Sequence, residues 1–488
     1  MRATEDLNEG FDMIAVGSGA TGLAAALTAA EGGAKVIIFE KQPSLGGSSN
    51  FFEGTFAVES EMQKERYITY SRDDAFKAMM EYSHWRADAR VVRAFVDESA
   101  ATINWLQQNG VEFIDATINM PDSPRTYHTI RGKGEALVKT LVTKSKEKGV
   151  MIKLGAEVKR ITLENGRVTG VIVETNGEDV AVKARAVVIG TGGYANNRQW
   201  IKKYTGYDLD VNMLPIGNVG KMGDGIRMAW EVGAAEAGID LLEMFRIGPL
   251  GPDFEMKCHL HTAAIQPVLW VDPRGKRFCD EGIAFNDSLV GNVNARFKEG
   301  YTWSILDESI KNKMLMDGIV RNMAIEKPPG TKLVNFDREM KAALERGSSE
   351  VFAAGSLVEL AGKMGVDPAV LTATVDEYNG FCAKGHDDLF AKNPLYLHPL
   401  KGPNYYALKV RTVFLGTKGG IKINHRMEVV DKKEKVIPGL YAGGFDAGGA
   451  WGDTYPIAHG SGASSAFALN SGRIAGKNVL RFLGISQE

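Results

Sequence analysis

Three glycines and one carboxylate in this chain are spaced to hold a dinucleotide. Gly17, Gly19 and Gly22 fill G-x-G-x-x-G within Phe11–Lys41, FDMIAVGSGATGLAAALTAAEGGAKVIIFEK. In that pattern the first glycine allows a tight turn and the second lets backbone approach a pyrophosphate. The third lets a helix pack close to its strand. The helix N-terminus then offers unpaired N–H groups and a positive dipole end to the same pyrophosphate. Glu40 ends the next apolar run, where a carboxylate accepts from ribose hydroxyls. These roles need elements to position them. Met13–Val16 is a short apolar run, as expected of a parallel strand buried on both faces, and Val36–Phe39 is a second. Strand, glycine turn, helix, strand and acid stand in register, which a merely structural glycine turn does not require.

Composition bounds what such a site serves. The 488 residues leave room for two or three domains with a large core. The net charge of −2, with no long basic or acidic block, argues against nucleic acid or an anionic membrane surface as the main partner. Cys258, Cys279 and Cys382 are widely spaced, with no C-x-x-C and no C-x-x-C-H. No haem attachment, zinc or cluster framework is therefore expected, and the thiols read as reduced cysteines of a cytoplasmic protein. The N-terminal MRATEDLNEG is polar and acidic, unlike a signal sequence, and no segment is apolar for long enough to span a bilayer.

Along the chain, Gln42–Thr55 is rich in glycine and serine and reads as a loop. Asp73–Asn109 reads as helical, with an apolar stripe from Phe76 to Leu106, Trp105 in the core and Gly110 as cap. Lys133–Lys148 reads as another amphipathic helix. Met151–Val188 alternates like antiparallel strands, with turns at Asn165-Gly166 and Asn176-Gly177. Val187–Gly193 is again strand then glycines, and Met222–Ala235 reads as a helix after a Gly-Asp-Gly turn. Mixed patterns with Pro and Gly breaks over residues 246–410 suit an inserted domain. Val436–Ala447 resumes the strand-then-glycine style, and Ser461–Phe482 is a closing helix. The nucleotide domain is thus written in two pieces, 1–245 and 411–488, and pockets form where such a domain meets its insert.

At this point the chain resembles the flavoprotein of the fumarate reductase and succinate dehydrogenase superfamily, which also includes urocanate reductases and 3-oxosteroid dehydrogenases. The matching segments run nearly end to end: GSGATG with Glu40-Lys41, LGGSS, GAEV at Gly155–Val158, GTGG at Gly190–Gly193 and GDG at Gly223–Gly225. GKRFCDE at Gly275–Glu281, GGI at Gly419–Ile421, GLYAGG at Gly439–Gly444 and SGRIAG at Ser471–Gly476 follow in the family's order. The resemblance implies an α/β fold: a Rossmann-like FAD-binding domain, parallel sheet plus β-meander, with an inserted α+β capping domain. It implies FAD. By carry-over Gly17, Gly19, Ala20 and Gly22 form the phosphate turn, and Glu40 with Lys41 takes the adenosine ribose. Gly46, Gly47, Ser48 and Ser49 line the flavin, and the Val158 backbone faces the adenine. Thr191, Gly192, Asp224 and Gly444 add cofactor contacts. Gly460–Ser465, with Ser461, Ser464 and Ser465, starts the last helix under the flavin pyrimidine. That last placement has independent physics, because a helix N-terminus stabilises the charge a reduced flavin carries near N1. Lys41–Thr55 contains no histidine, which predicts non-covalent FAD. Phe445 stands where the family often has the glutamate of GLYAAGE, so the ribityl contact shifts to Asp446 or is lost.

The same resemblance bears on the substrate. Burying a dianion without paired cations is prohibitive. The family's proton-donating arginine aligns with Asn286, its histidine before the TMGG segment with Leu415 or Gly416, and its carboxylate-clamping arginine with Tyr455. A neutral site is expected, and fumarate or another small dicarboxylate is rejected as substrate. Thr454-Tyr455-Pro456 is similar to the T-Y-P segment of 3-oxosteroid dehydrogenases, where the tyrosine hydroxyl and a nearby glycine N–H hold a ketone oxygen. Gly460, next to His459, is the corresponding glycine here. A phenol plus a backbone N–H stabilises a developing enolate as an oxyanion hole does. The α-carbon is thereby acidified, and flavin N5 takes hydride from the β-carbon. A purely structural Tyr455 is the competing reading. The second tyrosine of those enzymes is missing at Phe285 and Asn286, so the proton acceptor stays open among His459, His261 and Tyr194. His259 and His261 alternate, and on a strand would share a face, but no third ligand has metal spacing; pocket lining or packing is the expected role. Phe245, Ile247, Leu250, Phe254, Leu260, Ile265 and Phe285 suit a hydrophobic substrate and an ordinary core equally. The leading expectation is an FAD enzyme desaturating a cyclic or steroid-like ketone next to its carbonyl, with an external electron acceptor. The alternatives are an ene-reductase of an enone or enoate fed by an external donor, and a non-catalytic flavin-bound subunit.

Overall fold

The computed structural model describes residue 7 and residues 10–118, 123–322 and 327–485. Most of the N-terminal stretch read as polar and acidic lies outside the described residues. β1 (Phe11–Val16) is apolar from Met13 to Val16, and all four of these residues are buried. It lies parallel to β2 (Val36–Glu40), with Ile14 opposite Ile37, and α1 (Ala20–Glu31) makes the crossover between them. The remaining strands of this sheet are β3 (Met151–Leu154), β4 (Ala156–Glu164), β5 (Arg167–Thr175), β6 (Glu178–Ile189), β7 (Glu428–Val430) and β8 (Val436–Ala442). The main path runs β7-β8-β6-β1-β2-β3, and β4 and β5 extend from β6 as an antiparallel meander. A strand from the C-terminal end of the chain therefore completes a sheet begun at the N-terminal end: Leu440 of β8 lies parallel to Val187 of β6.

The meander turns where Asn-Gly pairs place them, with Glu164 opposite Arg167 and Thr175 opposite Glu178. Asn165, Gly166, Asn176 and Gly177 all have positive φ, as such hairpin turns require. Met151–Leu154 departs from the expected antiparallel run and pairs parallel with β2. The helix Lys133–Glu147 supplies the crossover that a parallel neighbour needs, and a four-residue strand, Met-Ile-Lys-Leu, carries no sign of its partner's direction. The helical stretch expected over Asp73–Asn109 is three helices, Arg72–Tyr82, Ala89–Asp97 and Ser99–Gln108. His84 and Trp85 turn to positive φ, and Asp88 then caps the second helix through Arg90 N at 2.9 Å. Trp105 is buried and donates to Glu31 at 2.8 Å.

A second sheet is organised around one long strand, Tyr405–Thr417. Leu242–Ile247, Tyr301–Asp307 and Val351–Ala354 all pair antiparallel to it. Trp270, Trp303, Phe336 and Tyr378 belong to its separate apolar core. The long strand ends at Thr417, so the next residue, Lys418, leaves this sheet in the direction of the first core. The closing helix α2 (Ala463–Leu483) packs against α1 through Gly472 and Gly476, where a methyl would strike the Thr21 carbonyl and Thr28.

The Gly275–Glu281 segment builds a buried ion network. Arg277 donates to both oxygens of Glu281 at 2.8 Å and to Asp387 at 2.6 Å, and Lys392 reaches Glu281 at 3.1 Å. All four side chains are at most 2 % exposed. Removing one member strands the others' charges in the core, which costs about 3–5 kcal/mol. Arg277→Met is expected to lower the unfolding free energy measured by urea denaturation by that amount, while Arg274→Met, whose guanidinium is 74 % exposed, is expected to leave it nearly unchanged.

Candidate functional site

The first βα turn opens into a groove. Gly17, Gly19, Ala20, Glu40, Lys41, Gly46, Gly47, Ser48, Ser49, Val158, Thr191, Gly192 and Asp224 all line it. These residues come from six segments of the chain. The first turn and the Gly46–Ser49 loop are tied together: Ala20 N donates to Ser49 Oγ at 2.9 Å, and Gly46 N donates to Ser18 Oγ at 3.1 Å. Ser18 in turn donates from N and Oγ to Glu40 at 2.9 and 2.7 Å. Glu40 is thus fixed at the end of β2 with its carboxylate on the groove wall. Lys41 and Asp224 form an ion pair across the same wall.

A cradle for FAD must be narrow at the phosphates and must leave donors unspent. Both conditions hold. Gly17 has φ +98°, and a side chain there would collide with Gly190. A methyl on Gly22 would be driven into the Gly17 carbonyl oxygen. Ser48 Oγ is buried without a partner among the described residues, although burying an unsatisfied hydroxyl is costly. A polar cofactor group in the groove would satisfy it.

The other expected cofactor residues lie behind the wall. Gly22 sits inside α1. Gly444 N donates to Ser471 Oγ at 2.8 Å. Ser461 Oγ donates to Ile457 O, and Ser465 Oγ to Gly54 O. Asp446 is fully buried and accepts from Thr191 Oγ1 at 2.8 Å, Gly192 N at 2.9 Å and Gly193 N at 3.0 Å. Its carboxylate holds the Thr191–Gly193 turn in shape, while its burial pushes the carboxyl pKa up. Phe445, its neighbour, is the residue on the groove wall.

Tyr455 is 3 % exposed. Its hydroxyl oxygen accepts from Ser464 N at 3.0 Å, in the first turn of α2, and burial beside Glu243 pushes the phenol pKa upward. The N–H that reaches this oxygen is Ser464's; Gly460 N donates instead to Pro456 O at 3.0 Å. The open candidates for a proton acceptor are placed differently. Tyr194 donates to Ile239 O. His261 accepts from Lys257 N at 3.0 Å through Nδ1, and its Nε2 meets Pro249 O. Its pKa falls to about 4 by burial, so both ring nitrogens are committed and the ring is neutral. His459 is half-buried, edge-on to Tyr82 at 5.2 Å. His259 and His261 lie on a helix, His259–Ala264, so they do not share a face, and His259 Nδ1 accepts from Asn335 N at 3.0 Å. Among the described residues no group of three or more His, Cys, Asp or Glu is placed to hold a metal ion.

Charges that the sequence reading missed gather beside Tyr455. Lys418 is fully buried, paired with Glu243, and donates to Ser464 Oγ at 2.6 Å. Ser464 Oγ also donates to Glu243 at 2.8 Å. The Lys418 ammonium lies 3.4 Å from the Phe445 ring centroid and 5.0 Å from that of Tyr455. Lys221, 4.7 Å from the Phe445 centroid, is buried on the groove wall. Burial and then repulsion by Lys418 push its pKa down to about 7. The expectation of a neutral site is therefore corrected: no arginine stands at the three aligned positions, but Lys221, Lys418 and Glu243 lie buried around Phe445 and Tyr455. The signal was a lysine inside an otherwise apolar and glycine-rich run, Val413–Ile421. Glu243 sits likewise between Leu242 and Met244.

The description "FAD binding domain" belongs to the family model that matches residues 12–462. A vinyl phenol reductase of Lactiplantibacillus plantarum is 35 % identical over 485 residues, covering 97 % of this chain and 97 % of that protein. The open conformation of a flavocytochrome c3 fumarate reductase superposes with a TM-score of 0.73 at 25 % identity, over 99 % of this chain and 80 % of the other. A 3-ketosteroid Δ1-dehydrogenase of Sterolibacterium denitrificans gives 0.78 at 20 % identity over 96 % and 99 %, a likeness of fold alone. Among the described residues no helix is long and apolar enough to cross a membrane.

Proposed function

The chain belongs to the FAD binding domain family, and from that premise we propose that it reduces a carbon–carbon double bond conjugated to an uncharged oxygen function, vinylphenols first among them. It is an FAD-dependent oxidoreductase of the fumarate reductase group. Bound FAD supplies the hydride chemistry. The groove residues that would hold it are those of the first turn, Glu40, the Gly46–Ser49 loop, Val158, Thr191, Gly192 and Asp224. The chain's own contribution to the reaction is to orient the alkene, exclude water and manage one proton.

The observation that carries the reading is the Tyr455 hydroxyl. It is buried at the start of α2, takes an N–H from Ser464, and keeps its own proton for a substrate oxygen or carbon. A donor fixed in advance where charge develops is worth most in such a dry site. The aligned arginines of a dicarboxylate site are absent, and the vinyl phenol reductase of L. plantarum acts on an uncharged aryl alkene, which supports the choice of substrate. Ketone desaturation is the second reading, favoured by Thr454-Tyr455-Pro456; it is the same chemistry run in the other direction.

Anaerobic photoreduction of the yellow protein, followed by addition of 4-vinylphenol, 2-cyclohexenone or fumarate, tests this. Reoxidation by the uncharged alkenes and not by fumarate is expected. Fumarate as the fastest oxidant overturns the proposal, and bleaching of the oxidised protein by cyclic ketones, with no response to alkenes, favours desaturation.

A further inference from the structure

We propose that Lys221 sets the redox balance of the cofactor: its ammonium stands at the flavin half of the groove, where it stabilises the negative charge that FAD gains on reduction. This role requires FAD in the groove and is independent of which alkene or ketone the enzyme takes.

The strand order gives the groove a direction. Glu40 ends β2 on one side of β1, and β6 and β8 lie on the other side. A dinucleotide with its pyrophosphate at the β1 turn and its adenosine ribose at Glu40 sends its second half across the ends of β6 and β8. Thr191 and Gly192 follow β6, Phe445 follows β8, and all three line the groove. The Lys221 side chain lies on this half. Its stem runs over Gly192, where an added methyl would stand 3.2 Å from Cε, and its Nζ is 4.7 Å from the Phe445 ring centroid. Asn196 fixes the backbone: Lys221 N donates to Asn196 Oδ1 at 3.0 Å, and Asn196 N donates to Lys221 O at 2.9 Å.

The ammonium lacks a protein partner. Lys221 is 4 % exposed and lines the groove, yet among the described residues no oxygen accepts from it. Lys418, across Phe445, is buried with Glu243 as its partner. An unpaired buried charge is costly, and an apolar side chain would fill the same volume without that cost. Lys418 repels the Lys221 ammonium, while Glu243 and Asp446 attract it. Lys41 and Asp224 on the same wall pair with each other. Burial and Lys418 prevail, and the Lys221 pKa falls to about 7. An anion in the groove reverses that balance.

Reduced FAD supplies such an anion. The oxidised ring is neutral; two electrons and one proton leave it with one negative charge on the N1 side. A fixed cation in a dry site favours that form. The pyrophosphate is charged in both redox states, so a cation bound there changes affinity and leaves the potential alone.

The test measures two quantities in wild type, Lys221→Met and Lys221→Arg. One is the reduction potential of the holoenzyme, by equilibration with an indicator dye at about pH 6, where the ammonium is present before reduction. The other is the Kd of the flavin-stripped full chain for oxidised FAD. In Lys221→Met the equilibrium is expected to shift about tenfold toward oxidised FAD, a potential about 30 mV lower for a two-electron couple. Its Kd for oxidised FAD is expected within about threefold of wild type. Lys221→Arg keeps the cation, and its redox equilibrium is expected within about threefold of wild type. Methionine fills similar space and removes an unpaired charge, so an unchanged far-ultraviolet circular dichroism spectrum is expected. An unchanged potential in Lys221→Met overturns the proposal. Binding of oxidised FAD weakened about tenfold or more at an unchanged potential overturns it in favour of a pyrophosphate contact. Arginine that lowers the potential as far as methionine does overturns it as well, since shape and not charge would then be responsible.

Discussion

Tyr455→Phe is expected to remain folded and yellow and to reduce its alkene at least ~100-fold more slowly, the loss that follows removal of one preorganised donor at a developing charge. Two observations separate catalysis from cofactor binding. Tyr455 is not on the groove wall that the FAD-type residues form, and its backbone carbonyl, which accepts from Ser288 Oγ, is untouched by the substitution. What the substitution removes is the hydroxyl alone. Ser464 N then loses its acceptor, which costs about 1–3 kcal/mol if no water replaces it. A modest fall in melting temperature should therefore accompany the kinetic loss. The informative measurement is the split between kcat and KM: a donor used only as charge develops lowers kcat with KM little changed. A variant with near-normal kcat would make Tyr455 a packing residue, its phenol merely satisfying an N–H at a helix start.

The phosphate turn was legible because it is local. Gly17, Gly19, Gly22 and Glu40 lie within one βαβ unit, and Gly17 and Gly22 leave no room for a side chain against the backbone of Gly190 and Gly17. Strand and helix placement around them followed from apolar runs and periodicity. The resemblance extended this to the Gly46–Ser49 loop, Val158 and Asp224, all of which the fold brings to one groove. Residues whose partners are distant were not legible. Lys418 meets Ser464, 46 positions away, and Glu243 meets Ser464 across 221 positions. No spacing rule links a lysine after a long strand to a glutamate on its antiparallel neighbour. Asp446 shows a related difficulty. A carboxylate beside a glycine turn suggested contact with a ligand, whereas three protein donors already fill it. The parallel direction of Met151–Leu154 and the breaks in the helical stretch depend on tertiary neighbours and on capping by Asp88, which periodicity alone does not report.

The largest loss of cofactor is expected from the smallest change, Gly22→Ala. The new methyl would point at the Gly17 carbonyl oxygen, which is backbone and has no rotamer to escape into. Relief requires α1 to move away from the turn. The other side of α1 is closed: Gly472 of α2 already sits against the Thr21 backbone, and Gly476 against Ala25 and Thr28. Overpacking of this kind costs about 1–3 kcal/mol. Here the strain falls on the N–H groups that the helix start would present to the pyrophosphate, so FAD affinity is expected to drop by about tenfold to hundredfold. The purified protein should be pale, with a low flavin-to-protein ratio after gel filtration and a preserved far-ultraviolet circular dichroism spectrum. Gly380→Ala is the matched control. That glycine lies exposed on the helix Pro368–Lys384 with no atom near an added methyl. Alanine there should be neutral or stabilising by up to about 1 kcal/mol. Equal flavin content in the two variants would mean that α1 can shift freely over the turn. The close contact between Gly22 and Gly17 would then not be what shapes the phosphate site.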